Sequence, residues 1–532
     1  MHSDPVLSTI DALERAAQTW PDRPFIIDGD AQWTFAGTLG AVETLAAGLI
    51  SQGFAAEQRA AVWGPNCAEW IIAALAIQRA GGTLVTLNTR YKGNEADQVL
   101  QDAGASILFR PEEFLGTDYG TLLAGLPSEG IPSIVLSQAH ASWQAIYQAG
   151  QAALKSPEGL EQARSARAAV SGDSISDILF TSGTTGRAKG VMTQQHQNIK
   201  AFSYFAEILG LSEDDRYLII NPFFHSFGYK AGWLACLLSG CTAYPMPTFD
   251  VEAVLQTIEQ NRITVMPGPP TLFQSIINHP ERSHYRLQSL TKATTGAAVI
   301  PTQLIVDIRE KLGVAGIITA YGLSETCGLV TMCRPGDDAQ IIAETSGRSI
   351  PEVEVAIHGE NGVPVPAGDT GEIVVRGFNV MQGYLDLPEA TAETIDADGW
   401  LHTGDIGSLD HAGNLRITDR LKDMYITGGF NCYPAEIENN LLRHVDVAQC
   451  AVIGVADERL GEVGAAFIVA QEGRQATEEE MRLWCREQMA NYKVPRHYIW
   501  LDSLPLNASG KVLKTSLREH FGHRQQQSGD DS

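Results

Sequence analysis

The sequence predicts an α/β protein. We expect a large N-terminal domain of two doubly wound α/β subdomains plus a β-rich subdomain, then a small, mobile α+β C-terminal domain. Three observations carry this expectation. Strand-like and helix-like runs alternate through the first two thirds of the chain, the pattern of α/β sheets. From about Val353 the texture changes to short strands and Gly/Pro turns (VEVAIHGENGVPVPAGDTGEIVVRG). After Arg420 mixed α and β patterning resumes for roughly a hundred residues, the size of one small domain.

Taken in order, RAAVW at 59–63 reads as a strand. NCAEWIIAALAIQRA at 66–80 has helical spacing with Asn66 as its N-cap, and Gly81-Gly82 leads into the strand TLVTL at 83–87. Together these make a βαβ unit. Strand-like runs recur at 133–136, 178–181, 217–220, 264–266 and 317–320, with helical patterns between many of them and no internal repeat. A chain of 532 residues is too long for one core, and we place the domains at 1–419 and 420–521. The polar tail 522–532 (GHRQQQSGDDS) is expected to be disordered.

Composition narrows the function. Apolar residues make up 44% and charged residues 19%, as in ordinary globular proteins. The net charge of −25 repels nucleic acid and anionic lipid, so neither is an expected partner. An anionic ligand needs local cations and backbone N–H groups to overcome that field. The eight cysteines form no C-x-x-C pair and read as free thiols in a reducing compartment, so a cytoplasmic protein is expected. The N-terminus carries no signal-peptide pattern, and the apolar runs at 70–77 and 233–238 are too short to span a bilayer. No stable membrane insertion is expected.

One segment suits an anion. ILFTSGTTGRAKGVM at 178–192 sets hydroxyls at Thr181, Ser182, Thr184 and Thr185 among Gly183 and Gly186, with Lys189 following. Glycines expose backbone N–H groups to phosphate oxygens, hydroxyls donate to them, and the lysine adds a point charge. The spacing is neither a Walker A nor a Gly-x-Gly-x-x-Gly pattern.

That run resembles the phosphate loop of the adenylate-forming enzymes: acyl-CoA synthetases, firefly luciferase and the adenylation domains of peptide synthetases. Further segments resemble the family's motifs in the family's order: YGLSE at 321–325, LHTGD at 401–405, NLRITDR at 414–420 and NASGK at 507–511. The resemblance implies an ATP-dependent ligase that makes an acyl-AMP and then an acyl-CoA, with ATP, CoA and Mg²⁺ as cofactors. In such an enzyme residues 181–189 clamp the β- and γ-phosphates. Glu325 holds Mg²⁺, with Thr184 as a second oxygen ligand. The Tyr321 ring stacks on adenine, flanked by Gly296, Ala297, Ala298, Gly322 and Ser324. Asp405 accepts the ribose hydroxyls and Arg420 adds contacts there. Lys511 bridges the substrate carboxylate and the α-phosphate. Taken singly, each reads more plainly: Asp405 as a turn residue, Lys511 as a solvated lysine, Tyr321 as core.

For the second half-reaction the resemblance makes Lys422 the hinge of the C-terminal domain and TGGFN at 427–431 the border of a pantetheine tunnel. Gly428 and Gly429 would keep it narrow, although locally the pair reads equally well as a hairpin turn. His225, in NPFFHSFG at 221–228, stands where acyl-CoA synthetases carry an aromatic gate. It reads otherwise as a packed histidine. No aspartate stands there to meet a substrate amine, and no carrier domain follows Lys511, so a free carboxylic acid and CoA are expected. Phe227, Gly228, Tyr229 and Pro269 are the expected acyl-pocket residues. The small Gly228, Ala231 and Gly232 would leave room for a bulky group, and Tyr229 and Lys230 would donate to ring ketones.

Longer runs at 214–232, 263–274 and 417–438 resemble the actinobacterial ligases that join CoA to an indane-dione propanoate left by steroid breakdown. A ring-bearing propanoate is therefore the expected acid. The competing readings are a medium- or long-chain fatty acid, transfer to a carrier protein instead of CoA, and a non-catalytic nucleotide sensor. Ala188 where the family has proline, Ser324 for threonine, and Tyr425 and Cys432 for aliphatics depart from the pattern.

Overall fold

The computed structural model describes residues 6–181, 188–296, 300–359, 361–420, 423–427, 430–457, 459–489, 491–506 and 512–530. The βαβ unit read near the N-terminus lies at the middle of a seven-stranded sheet. Arg59–Val62 and Thr83–Thr86 pair in parallel, and Ala105–Arg110 and Ser133–Val135 extend the sheet on one side. On the other, Ile175–Thr181 lies parallel to Thr83–Thr86, Lys189–Gln194 folds back antiparallel to it, and Gly383–Tyr384 returns from far along the chain to cover the edge.

A nine-stranded sheet forms the second α/β layer. Its six inner strands, from Gly316–Tyr321 through Lys292–Thr295, Val265–Pro267, Arg216–Ile219 and Thr242–Pro245 to Pro24–Asp28, are parallel. Antiparallel strands close its edges. The helix Ala68–Arg79 touches strands of both sheets. Ten of its residues are buried, from Ala68 through Gln78, which is why its apolar residues run all round instead of along one stripe.

The expected N-cap is corrected by the structure. The helix begins one residue later than an Asn66 cap would set it, and Asp28 supplies the acceptor for the Ala68 N–H at 2.8 Å. Asn66 is buried and reaches across to the other sheet, donating to the carbonyls of Ile219 and Asn221 and accepting from the Phe223 N–H at 2.8 Å. A side chain that can satisfy three backbone groups of a distant loop gains more there than at one helix end.

The β-rich subdomain is a four-stranded antiparallel sheet of Val353–His358, Gly371–Gly377, Leu401–Leu409 and Leu415–Arg420. The C-terminal part holds Tyr425–Thr427, Phe430–Cys432, Val447–Asp457, Gly461–Ala470 and His497–Leu501 in one sheet, packed with helices such as Pro434–Leu441 and Glu478–Gln488. Its last helix, Lys514–Asp530, continues through the segment expected to be disordered. The polar run there holds Arg524 and the glutamines 525–527, good helix formers, and extending an existing helix avoids the cost of nucleation. Among the described residues no helix is long and apolar enough to cross a membrane.

Candidate active site

The strands Arg216–Ile219, Val265–Pro267, Lys292–Thr295 and Gly316–Tyr321 are consecutive neighbours in the nine-stranded sheet and all parallel. Their carboxyl ends therefore open along one edge, where an open α/β sheet forms its ligand crevice. That edge carries the segment 221–228, Pro269, Gly296 and the segment 321–325. The structure thus gathers His225, Phe227, Gly228, Pro269, Gly296, Tyr321, Gly322, Ser324 and Glu325 from four separate stretches. Ala297 and Ala298 lie outside the described residues.

At the Tyr321 end of this edge, the Tyr321 hydroxyl donates to Oδ2 of buried Asp405 at 2.7 Å. The bond ties the big sheet to the β-rich subdomain. Asp405 faces Arg420 across the antiparallel pair, so the two expected ribose contacts are adjacent in register. The Arg420 side chain lies outside the described residues. Two glycines hold the backbone close. A Cβ on Gly322 would stand 2.3 Å from the Gly328 carbonyl carbon, because the loop after Tyr321 doubles back on itself. A Cβ on Gly296 would meet the Ala320 carbonyl at 3.3 Å, narrowing the cradle beside Tyr321.

The residues that bracket the phosphate run belong to two paired antiparallel strands. Thr181 ends one strand, Lys189 begins the next, and the two are register partners. Thr181 Oγ1 donates to the Lys189 carbonyl at 3.4 Å. Ser182, Gly183, Thr184, Thr185 and Gly186 lie outside the described residues. The Lys189 Nζ stands 4.6 Å from the centroid of the Tyr384 ring. The same tyrosine donates its hydroxyl to Glu325 Oε1 at 2.9 Å, while the Met381 N–H donates to the Glu325 carbonyl at 2.8 Å. Burial, and then the neighbouring Glu325 charge, push the Tyr384 phenol above its ordinary range, which keeps it a donor. Among the described residues no cluster of three His, Cys, Asp or Glu could cage a metal. One carboxylate with a free oxygen suits Mg²⁺, which keeps waters and phosphate oxygens as its other ligands.

The acyl end corrects several expectations. His225 is exposed and caps the short turn Ser226–Gly228, its Nδ1 accepting from the Phe227 N–H at 3.2 Å. A Cβ on Gly228 would stand 2.1 Å from the Asn221 carbonyl, and one on Gly232 2.9 Å from Ile219 Cγ2. Their smallness is used up by close packing and leaves no room for a ligand. Tyr229 does not line a pocket. It is fully buried, stacked on Trp233 at 4.7 Å, with its hydroxyl among Gln78, Ser176 and Asp177. Lys230 is neither solvated nor free to reach a ketone: its Nζ is 3.0 Å from Asp177 Oδ1 and 3.0 Å from Thr193 Oγ1, with both charges buried. The cause is local. Tyr229–Leu234 winds as a π-helix, and all six of its residues are buried, so both side chains are taken up by the core.

Two groups of residues escaped the sequence reading. Asp177 and Thr193 satisfy the buried lysine while Asn198 donates to Asp177 Oδ2 at 2.6 Å, and a lone aspartate in the apolar strand ISDILFT was the available signal. Tyr384 left no local signal, because its partners lie far away in sequence.

In the C-terminal part, Lys422, Gly428, Gly429 and Lys511 lie outside the described residues. Thr427 pairs with Phe430, so the flanking strands form a hairpin. Tyr425 is buried between Gly454 and Gly464, where a Cβ would stand 2.3 Å from its Cβ and 2.4 Å from its hydroxyl, respectively. It is core, and so is Cys432.

A strand-edge crevice, with Lys189 and Glu325 meeting at one tyrosine and Tyr321 tied to Asp405, fits an enzyme that binds a nucleotide. The chain belongs to the AMP-binding enzymes, whose family matches residues 13–385 and whose C-terminal domain matches residues 436–511, and within them to the ATP-dependent, AMP-forming acid–CoA ligases. Two relatives, from Rhodococcus jostii and Mycobacterium tuberculosis, are each 48% identical over 96% of this chain and 98% of their own length. Both are named as methyl-dioxo-octahydroindenyl-propanoyl:CoA ligases. The crystal structure of the anthranilate CoA ligase AuaEII with anthranoyl-AMP superposes with a TM-score of 0.86 at 26% identity, covering 97% of this chain and 98% of that one. The o-succinylbenzoate CoA synthetase MenE of Bacillus subtilis with its acyl-adenylate superposes at 0.80 and 29% identity, covering 95% and 97%.

Proposed function

We propose that this chain joins CoA to a propanoate carrying a fused two-ring diketone, of the indane-dione type. The observation that carries the reading is the 48% identity, nearly end to end, to two ligases named for such an acid. The site geometry supports the chemistry. A carboxylate oxygen of the acid attacks the α-phosphorus of ATP, the bond to the β-phosphate breaks, and diphosphate leaves. The thiolate of CoA then attacks the acyl carbonyl, and the bond to AMP breaks.

On this reading each residue works on charge or position. The 181–189 hairpin, with Lys189, holds the β- and γ-phosphates as charge shifts onto the leaving group. Glu325 and the Thr184 hydroxyl would hold Mg²⁺, which supplies charge neutralisation to phosphate oxygens when bound. Tyr321 stacks on adenine beside Gly296 and Gly322, and Asp405 accepts the ribose hydroxyls. Lys511 steadies the developing charge between carboxylate and α-phosphate. Lys422 is the hinge that withdraws Lys511 and brings Gly428 and Gly429 to the thiol arm of CoA. His225 and Phe227 border the acid, and Pro269 faces it from the neighbouring strand end.

A fatty-acid reading is supported by medium-chain acyl-CoA ligases such as the human one, which is 32% identical over 96% of this chain. A diphosphate-release screen separates the two. Purified protein with ATP, Mg²⁺ and CoA is expected to release diphosphate with the bicyclic acid and yield its thioester by mass. Ready turnover of linear acids with none of the bicyclic acid would overturn the proposal.

A further inference from the structure

Tyr384 stands between the two groups of opposite charge nearest the proposed triphosphate position. Its ring lies under the Lys189 ammonium at 4.6 Å, and its hydroxyl donates to Glu325 at 2.9 Å. The backbone holds it there from both sides. Gly383–Tyr384 pairs antiparallel with Val191 and Met192, and the Leu385 N–H donates to the Gly190 carbonyl at 2.8 Å. The Tyr384 N–H is itself held by Thr391 Oγ1 at 2.9 Å. The tyrosine is buried, so it cannot swing aside into solvent. Lys189 and Glu325 thus share one ring, and among the described residues neither carries an ion pair.

A lysine and a glutamate that contact the same side chain would neutralise each other if they came together as an ion pair before any ligand arrived. The ring prevents this without removing either charge. Its face attracts the ammonium weakly, through the quadrupole, and its edge hydroxyl fixes one carboxylate oxygen while leaving the other free. We infer that Tyr384 is a positioning residue that keeps Lys189 and Glu325 apart and available, so that one site receives both a phosphate and the cation that accompanies it. This rests on the reading of the 181–189 hairpin and Glu325 as a triphosphate site. It predicts that the tyrosine matters for ligands with β- and γ-phosphates and not for AMP.

Calorimetric titration of the full-length protein tests it, with Tyr384→Phe and Tyr384→Leu beside the wild type. The probes are ATP with Mg²⁺, ATP with chelator, and AMP. Tyr384→Phe keeps the spacer and loses the carboxylate tether, so affinity for ATP with Mg²⁺ should fall about threefold, with ATP in chelator unchanged. Tyr384→Leu lets the charges collapse onto each other and should weaken ATP about tenfold both with and without Mg²⁺. That loss should shrink as salt is raised, because a direct ion pair is screened. AMP should bind all three proteins alike. Equal ATP affinity across the three, or an AMP loss in Tyr384→Phe as large as the ATP loss, would overturn the inference and leave the tyrosine a packing residue. Wild type that binds AMP but not ATP, or neither, would overturn the triphosphate reading itself.

Discussion

Two lysines on either side of one hairpin strand meet opposite fates. Lys189 begins the strand Lys189–Gln194 and ends over an aromatic face, half-buried and without a counter-charge among the described residues. Lys230 reaches the far end of the same strand from the π-helix and is buried to 1% exposure against Asp177, with Thr193 bridging them. Both stand next to hydroxyl-bearing residues. The difference lies in what surrounds the charge. An ammonium free of a carboxylate can still greet an anion, whereas one that is paired and dry has been spent on holding three segments together. Residue type alone does not say which lysine binds.

The largest effect that sharpens this contrast is on stability. Lys230→Ala leaves the Asp177 charge buried without its partner and should destabilise the N-terminal part by about 3–5 kcal/mol in urea unfolding. Replacing both, as Lys230→Met with Asp177→Leu, should recover most of that loss, since a buried pair is seldom worth more than an apolar one. A double variant as unstable as the single one would break the comparison. Next comes Lys189→Met. Its stability should stay within about 0.5 kcal/mol of wild type, while diphosphate exchange should fall about a hundredfold. Gly228→Ala follows, with a loss of about 1–3 kcal/mol, because its Cβ meets a backbone carbonyl that cannot yield cheaply. A stabilised Gly228→Ala would mean that the loop 221–228 has slack the structure does not show.

The two sides also differ in how far the sequence foretold them. Lys189, Tyr321, Glu325 and Asp405 were picked out by the order of motifs, and the fold links them in pairs through Tyr384 and through the Tyr321–Asp405 bond, although Lys189, Tyr321 and Asp405 come from three different sheets. Three of the six parallel strands, at 216–219, 265–267 and 316–321, were legible as short apolar runs bounded by turns, whereas Pro24–Asp28, Thr242–Pro245 and Lys292–Thr295 were not read. Around Tyr229 and Lys230 the reading failed for a geometric reason. Their roles were assigned from resemblance and donor chemistry, and the π-turn that carries both residues into the core beside Asp177 leaves no mark in the local sequence. Asn66 failed differently: cap and staple need the same side chain, and only the position of the second sheet decides between them. Tyr384 could not be found at all from sequence, because its importance is a contact among residues 189, 325 and 384.

The smallest expected effect separates the two ends of the nucleotide. Tyr321→Phe keeps the ring proposed to stack on adenine and deletes only the 2.7 Å bond to Asp405. That bond holds one oxygen of the carboxylate proposed to accept the ribose hydroxyls, and a hydrogen bond to a charged acceptor contributes about 1 kcal/mol or somewhat more. Without it Asp405 is held less firmly for the ligand. Affinity should fall about fivefold, and by the same factor for ATP and AMP, since both carry the ribose. Lys189→Met should behave in the opposite way, weakening ATP while sparing AMP. If Tyr321→Phe instead spared AMP and weakened only ATP, Asp405 would belong with the phosphates, and the division of this site into a ribose end and a triphosphate end would be wrong.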